Sequence, residues 1–277
     1  MCRLAGWVSR VPATLGEVLG ADGLAELMAL SHQHADGWGL AWWEGGRLRR
    51  LASPLPAHAC PDFAAALQVR ADAALLHLRW ATPGLRVAPE NTHPFLAGDW
   101  AYGHNGAVRP ADGLLALLPP GTREQLAGDT DSERLLHVLL DRVGAHGLAE
   151  GLRRTVADVC AELTPSSLDA LLLGRDALTA VCSHAADGEG DAPATEGPPE
   201  DRPGYFDLRW RQDDGLVVVA SEPLGGRPWQ RLPDGTALVV PRDGSPPRTV
   251  PVGRFPAAAR RREQARRRAA VEPGPVA

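Results

Sequence analysis

Cys2 stands directly after Met1 and is followed at once by the apolar segment RLAGWV, residues 3–8. This segment predicts a short strand, so the fold is organised around the first residues of its own chain. If Met1 is removed, Cys2 carries a thiol and a free α-amino group, whose reference pKa of about 7.7–8.0 lets it act as a base. A thiol with its base in the same residue is an activated nucleophile. The alternative is that Met1 is kept and Cys2 is a small buried apolar side chain.

The composition excludes several kinds of chemistry and partner. The 277 residues contain no Lys, so neither a Schiff-base lysine nor a phosphate-loop lysine is available. The net charge of −5 argues against nucleic acid or an anionic membrane surface as the partner. The sequence has no secretory signal and no apolar run approaching the roughly 18 residues of a membrane-spanning helix. We therefore expect a protein of the reducing cytoplasm.

Candidate metal ligands are few. The four cysteines lie far apart, in neither a disulfide framework nor a zinc spacing, at Cys2, Cys60, Cys160 and Cys182. His32 and His34 lie close together, but no convincing third ligand is nearby. We interpret this pair as a solvated helix end and predict no metal site.

Hydrophobic periodicity predicts a mixture of strands and helices. Helices are expected at 22–33, at 61–70, after the segment 128–133 and at 148–162. Strands are expected at 3–8, 73–80, 100–102, 169–175, 178–183, 205–211, 215–220 and 236–241. Residues 185–204 are acidic and rich in Gly and Pro, which predicts a flexible insertion. Residues 254–277 form an Arg-rich tail, in which we expect a solvated helix at 257–268.

Polar residues at the ends of these elements are candidate site residues, and each has a local alternative. Arg79 ends an apolar strand and offers two parallel donors to a carboxylate, or is a solvated strand end. Asn105 and Gly106 suit an oxyanion hole, and the same pair is typical of a hairpin turn. Asp131 suits a substrate ammonium, or Asp131 or Thr130 caps the helix that follows.

Seven segments in this order resemble the glutaminase domain of class II glutamine amidotransferases, which are N-terminal-nucleophile hydrolases. The segments are MCRLAGW, HADGWGLAW, HLRWATPG, NTHPF, GHNGAV, GDTDSE and VVVASEPL, within roughly residues 2–225. The resemblance implies an α+β fold, a four-layer αββα sandwich of two antiparallel sheets between helices, over residues 2–253. It also implies an amidohydrolase that acts on a small molecule, glutamine or a γ-glutamyl amide, without a metal or organic cofactor.

The resemblance implies a catalytic role for three residues. Cys2 is similar to the nucleophile of the family, with its freed α-amine as the general base. Asn105 and Gly106 are similar to the oxyanion hole.

The resemblance further implies a substrate-binding role for four residues. Arg79 is similar to the residue that binds the α-carboxylate of glutamine, and Thr82 to the residue that supports it. Asp131 resembles the acceptor of the α-ammonium, and Trp80 a side chain that packs near the nucleophile and gates access. Pro83 departs from the sugar-amidating branch, which usually has His there. Because Pro83 has neither a side-chain ligand nor an amide N–H, any contact made there in relatives is absent or replaced.

Three classes of function follow. The first is a stand-alone amidohydrolase, similar to the ergothioneine-pathway enzyme that hydrolyses γ-glutamyl-hercynylcysteine sulfoxide, although the triplet at 80–82, WAT, differs from the one expected in its close relatives. The second is a glutaminase subunit that passes ammonia to a separate synthase. The third is a catalytically inactive binding protein on this scaffold. The presence of five residues that match the family's site argues against it: Cys2, Arg79, Asn105, Gly106 and Asp131.

Overall fold

The structure, a computed structural model, describes residues 2–82, 84–185 and 204–271, with side chains to residue 266. Within these ranges the strands are β1 Arg3–Ala13, β2 Trp38–Glu44, β3 Arg47–Ser53, β4 Ala71–Leu78, β5 Phe95–Ala97, β6 Trp100–Asn105, β7 Val108–Arg109, β8 Thr164–Pro165, β9 Asp169–Leu173, β10 Ala177–Cys182, β11 Arg209–Asp213, β12 Leu216–Ala220, β13 Gln230–Arg231, β14 Thr236–Pro241 and β15 Arg248–Pro251. The α-helices are α1 Leu15–Gln33, α2 Pro61–Leu67, α3 Asp131–His146, α4 Leu148–Glu162 and α5 Ala257–Val271. Met1, Pro83 and the predicted insertion, apart from Ala185 and Gly204 at its ends, lie outside the described residues.

Two antiparallel sheets carry most of the strands. The first sheet has the order β13-β11-β12-β1-β4-β2-β3, and the second has the order β15-β14-β10-β9-β6-β5. A small separate pair joins β7 to β8. The first strand of the chain lies in the middle of its sheet, between β12 and β4. The residues that follow Cys2 are therefore held on both sides.

Three apolar layers separate four layers of secondary structure. One layer packs α1 and α2 against the outer face of the first sheet, through residues such as Leu27, Phe63 and Trp7. A second fills the space between the sheets, and a third packs α3 and α4 on the outer face of the second sheet. Helix, sheet, sheet and helix thus follow one another, which confirms the predicted αββα sandwich.

Strand β1 shows how the sequence specifies these layers. Leu4 and Val8 face the second sheet, whereas Ala5 and Trp7 face the helices, because successive side chains of a strand point to opposite faces. At Gly6 the sheets approach so closely that a Cβ atom would lie 2.9 Å from a methyl carbon of Leu178. A side chain at this position would push the two sheets apart.

Helix α1 begins earlier than the periodicity at 22–33 indicates. Thr14 and Glu17 form a reciprocal capping box: the Glu17 N–H donates to Thr14 Oγ1 at 3.2 Å and the Thr14 N–H donates to a Glu17 carboxylate oxygen at 2.7 Å. The capping box starts the helix at Leu15, and Gly20, with φ of 77°, interrupts the helical geometry inside it. Because of this interruption, the first turns of α1 do not continue the hydrophobic periodicity of residues 22–33.

The helix of the C-terminal tail is not wholly solvated, which corrects the sequence prediction. Phe255 and Ala259 are buried in the layer that also contains α3 and α4. The guanidinium of Arg262 donates to the carbonyl oxygens of Cys160 and Leu163, near the C-terminal end of α4. These contacts cap α4 and hold the start of α5 against the body of the protein. No described helix has both the length and the apolar character needed to cross a membrane.

Candidate active site

A cleft of about 250 Å³ opens where Cys2, the end of β4, the end of β6 and the beginning of α3 meet. Six of the seven predicted site residues line it: Cys2, Arg79, Trp80, Thr82, Gly106 and Asp131. The seventh, Asn105, is fully buried directly beside the cleft wall. The volume lies just below the range of about 300–1,000 Å³ typical of drug-sized ligands, so the cleft suits a molecule of amino-acid size.

The thiol of Cys2 is half-buried and lies against the backbone of the residue after Arg79. The Trp80 N–H donates to Cys2 Sγ at 3.5 Å, and Sγ lies 3.5 Å from the Trp80 carbonyl oxygen. Burial raises the pKa of the thiol, and the Trp80 N–H and the charge of Arg79 oppose this effect without cancelling it. A thiol with a raised pKa is protonated at neutral pH and would need a base in order to act as a nucleophile.

Arg79 is positioned by backbone contacts between two neighbouring strand ends. The Arg79 N–H donates to the Gly37 carbonyl at 2.8 Å, and the Asp36 N–H donates to the Arg79 carbonyl at 3.1 Å. The Ala81 N–H donates to the Asp36 carboxylate at 2.7 Å. Gly37 is required here, because its φ is 125° and a Cβ would lie 2.8 Å from the Ser53 carbonyl oxygen. Gly39, on the other side of Trp38, also allows a close approach, since a Cβ there would lie 2.2 Å from the His93 carbonyl oxygen.

The guanidinium of Arg79 is buried, with 2% of the residue exposed. Its side-chain hydrogen bonds go to carbonyl oxygens, of Asp36 at 3.4 Å and of Arg86 at 3.2 Å. Burial lowers its pKa, and the negative charges around it oppose that shift. Within the described residues no carboxylate is hydrogen-bonded to this guanidinium, so its charge is available for an anionic group in the cleft.

Trp80 and Thr82 form the part of the cleft wall that follows Arg79. The Trp80 side chain is 43% exposed and meets His34 edge-on, with ring centroids 5.7 Å apart. An exposed indole at the edge of a cleft provides apolar contact area for a ligand.

Asn105 and Gly106 end β6. Across the described ranges, both polar atoms of the Asn105 amide are buried without a hydrogen-bond partner. At Gly106 a Cβ would lie 2.1 Å from the Ser167 carbonyl oxygen and 2.8 Å from His104 Nε2, so no larger residue fits. The backbone here lies in the cleft wall instead of forming a simple hairpin turn.

Asp131 is the first residue of α3, and the cap of that helix is Thr130, whose hydroxyl accepts from the Glu133 N–H at 3.2 Å. Asp131 instead accepts from the Val108 N–H at 2.6 Å, which fixes its carboxylate at the cleft wall. Arg79 and Asp131 thus bring opposite charges to one small cleft that also contains the Cys2 thiol. Such a cleft can bind a zwitterion and present it to a nucleophile.

The other residues that line the cleft, which the sequence did not assign to the site, include His93, His104, Ser132 and Tyr205. The first three lie within the motifs NTHPF, GHNGAV and GDTDSE, so their proximity to predicted site residues was a usable signal. Tyr205 follows the predicted insertion and has no such signal.

His93 stacks on His77 with ring centroids 4.1 Å apart, and both rings are buried. Burial lowers the pKa of His77 to about 3 and that of His93 well below its usual range, so both are neutral. Among the described residues neither ring nitrogen of His93 has a hydrogen-bond partner.

One group of three side chains among the described residues has the composition and spacing to hold a metal ion: Asp169, Cys182 and His184. It does not include His32 or His34. His32 stacks on His58 at 3.8 Å, and His34 Nδ1 lies 2.7 Å from the Leu30 carbonyl oxygen. The pair lies at the end of α1, as predicted, but only His32 is exposed; His34 is buried at 1% exposure, which corrects the prediction of a solvated helix end.

Comparison with known proteins identifies relatives along almost the whole chain. A family model described as class-II glutamine amidotransferases matches residues 1–266. YafJ of Escherichia coli, which carries the name of a glutamine amidotransferase, is 29% identical over 253 residues, covering 85% of this chain and 95% of its own. The γ-glutamyl-hercynylcysteine sulfoxide hydrolase of Mycobacterium tuberculosis is 28% identical over 253 residues, covering 88% of this chain and 94% of its own.

A solved structure supports the fold. The glutamine aminotransferase class-II domain protein from Silicibacter pomeroyi superposes with a TM-score of 0.62 at 21% identity, covering 90% of this chain and 100% of its own.

Proposed function

This chain belongs to the class-II glutamine amidotransferases, and from that membership we propose that it hydrolyses a γ-glutamyl amide through a thioester on Cys2. The observation that carries the proposal is the presence of Cys2, Arg79 and Asp131 in one cleft of amino-acid size. The fixed cation and the fixed anion suit the α-carboxylate and α-ammonium of a glutamyl group. Binding both ends leaves the γ-carbonyl as the group that meets the thiol.

In the proposed reaction, Met1 is removed and the α-amine of Cys2 takes the thiol proton as sulfur attacks the γ-carbonyl carbon. The Asn105 amide and the Gly106 N–H stabilise the negative charge that develops on the carbonyl oxygen. The protonated amine then gives its proton to the leaving nitrogen, the C–N bond breaks, and a γ-glutamyl thioester remains on Cys2. Water attacks the thioester with the same amine as base, which releases glutamate and restores the thiol.

Two features of the cleft support this sequence of steps. Burial raises the pKa of the Cys2 thiol, so the thiol needs a base such as the α-amine to become a thiolate at neutral pH. The unpartnered amide of Asn105 is a buried group whose missing hydrogen bond an oxyanion would supply. A reducing cytoplasm, which keeps the thiol free, is the compartment we propose.

We propose as substrates glutamine and γ-glutamyl conjugates such as γ-glutamyl-hercynylcysteine sulfoxide, the compound in the name of the mycobacterial relative. The Trp80 side chain, 43% exposed, offers apolar ring surface to a leaving group larger than ammonia, and Tyr205 also lines the cleft. The alternative is a glutaminase subunit that passes ammonia to a synthase.

The deciding experiment combines intact mass with a substrate comparison. The expected result is a chain lacking Met1 that gains one adduct from 6-diazo-5-oxonorleucine, with no adduct in Cys2→Ala and an unchanged adduct in the control Cys60→Ala. A retained Met1, or an adduct elsewhere, would overturn the mechanism. A higher kcat/KM for a bulky γ-glutamyl amide than for glutamine supports the hydrolase, whereas activation by a co-purifying synthase supports the alternative.

A further inference from the structure

Asp169, Cys182 and His184 meet between the two sheets, and the proposed hydrolysis uses none of them. Their potential ligand atoms all lie within 4.8 Å of one another. All three residues are buried, with at most 4% of any of them exposed. A carboxylate, a thiol and an imidazole share one small volume from which solvent is excluded.

The register of β9 and β10 brings these residues together. Ala170 pairs with Val181, and Ser167 forms an isolated bridge with His184 in the same register. Asp169 therefore lies opposite Cys182, where Cβ atoms of an antiparallel pair are about 4.5–5.5 Å apart. His184 lies two residues beyond Cys182 on the same face, because side chains of a strand alternate.

The distances between the ligand atoms are close to those of a tetrahedral metal site. His184 Nδ1 lies 3.1 Å from Asp169 Oδ2 and 3.9 Å from Cys182 Sγ. Ordinary zinc–ligand bond lengths correspond to tetrahedral edges of about 3.4 Å for N···O and about 3.6 Å for N···S. Shifts of a few tenths of an ångström would bring these two distances to the tetrahedral edge lengths, and all three ligand atoms lie within 4.8 Å of one another.

Two backbone contacts hold the ligands in this arrangement. The Ser183 N–H donates to Asp169 Oδ1 at 2.6 Å, which leaves Oδ2 directed at the imidazole. The His184 N–H donates to Asp234 Oδ1 at 3.3 Å. Partners of this kind, which orient ligands without touching the ion, are a general feature of protein metal sites.

We propose that Asp169, Cys182 and His184 bind a divalent transition-metal ion of the zinc class. A dication with one thiolate, one carboxylate and one neutral imidazole has no net charge, which lowers the desolvation free energy of burying it between the sheets. Thiolate and imidazole ligands favour zinc-class ions over Mg²⁺ or Ca²⁺, which prefer oxygen. Three protein ligands leave a fourth tetrahedral position, which a single buried water molecule would occupy.

The ion would stabilise the edge of the active site. Asp169 pairs across the sheet with Asn105, the last residue of β6. A metal ion at Asp169 would cross-link β9, β10 and the segment after β10, directly beside the strand that presents Asn105 and Gly106. Because the ion binds the folded chain, its binding adds to the free energy of unfolding.

The test uses the untagged full-length chain, stripped with chelator and titrated with ZnCl₂ and with CoCl₂. The Cys2 thiol and a free α-amine could also chelate metal, so the titrations are repeated in a Cys2→Ala background. We expect one Zn²⁺ per chain by elemental analysis, a rise in Tm, and a thiolate-to-cobalt charge-transfer band, all retained in Cys2→Ala. Cys182→Ser should lose the band, whereas Cys160→Ser, at an equally buried position, should keep it.

The wild-type protein alone can overturn the proposal. If it takes up no Zn²⁺ and shows no thiolate band with Co²⁺, the three residues are a structural hydrogen-bonded cluster and not a metal site. Binding that vanishes in Cys2→Ala, or that persists in folded Cys182→Ser, assigns the metal to another site and overturns the proposal equally. These measurements do not depend on amidohydrolase activity, so their outcome is separate from that of the proposed function.

Discussion

Two asparagines at 0% exposure differ in their hydrogen bonds, and this difference leads to opposite predictions for Asn105→Ala and Asn91→Ala. Asn91 donates to the Arg86 carbonyl at 3.2 Å and to the Asp129 carboxylate at 2.7 Å, and accepts from the Asp129 N–H at 3.1 Å. Neither amide atom of Asn105 has a partner within the described part of the chain. The Asn91 amide is held by hydrogen bonds within the fold, whereas the Asn105 amide has no partner among the described residues.

The expected magnitudes follow from these contacts. In Asn91→Ala, the loss of two neutral hydrogen bonds at about 1 kcal/mol each and one to a carboxylate at about 2 kcal/mol lowers the free energy of unfolding by about 4 kcal/mol. In Asn105→Ala no bond is lost, and relief of the buried unpartnered amide offsets the small cavity, so the change stays within about 1 kcal/mol. Loss of one oxyanion donor should nevertheless lower kcat by about 10²–10³, equivalent to about 2.7–4 kcal/mol.

The assay pairs urea unfolding with steady-state hydrolysis of a γ-glutamyl amide. Asn105→Ala should unfold at nearly the wild-type urea concentration and have a strongly reduced kcat, while Asn91→Ala serves as the control for stability. If Asn105→Ala loses as much stability as Asn91→Ala, the Asn105 amide has partners in the folded protein and the reasoning is wrong. If it is stable and its kcat falls less than tenfold, Asn105 is not an oxyanion donor.

Three further predictions use the same two assays. Gly106→Ala should lower the free energy of unfolding by about 1–3 kcal/mol, since its Cβ would lie 2.1 Å from the Ser167 carbonyl oxygen. The control is Gly144→Ala, in α3 with open space around it, which should raise the free energy of unfolding by about 0.5–1 kcal/mol. The same change in stability in both variants would contradict the close approach at Gly106. Arg79→Lys should lower kcat/KM about 10–100-fold, mainly by raising KM, because an ammonium lacks the planar pair of donors of a guanidinium. An unchanged KM would show that Arg79 does not bind the substrate. The pKa of His77 is about 3 in the folded state and 6.5 in its ordinary state. Below pH 6.5 the unfolded chain therefore binds a proton at His77 that the folded chain does not bind. The free energy of unfolding consequently falls as the pH drops from 6.5 towards 3. Between pH 7 and pH 5 this loss is about 2 kcal/mol, so the free energy of unfolding of His77→Gln, measured in urea, should fall less than that of the wild type by that amount. If the wild type and His77→Gln show the same pH dependence, His77 is protonated in the folded state.

The fold class was implied by the resemblance of seven motifs to a known family, and local patterns specify many of the elements of that fold. Alternation places Leu4 and Trp7 on opposite faces of β1, and Thr130 caps α3 through its own hydroxyl. Two predictions about helices were wrong, one because of a local interruption of the helix and one because of contacts between residues distant in sequence. Gly20 interrupts α1 and concealed its start, and the first turns of the tail helix are buried because Arg262 reaches the end of α4.

For the site, the sequence by itself determined the residue types and their order: a thiol at position 2, a guanidinium at 79, an Asn-Gly pair at 105–106 and a carboxylate at 131. Each is recognisable because it sits at the end of a local element. Only the tertiary structure decided that they share one cleft, and it also brought in Tyr205 and aligned Asp169 with Cys182 and His184. Those proximities are set by strand register and by the packing of two sheets, which join residues too distant in sequence for any local pattern to record.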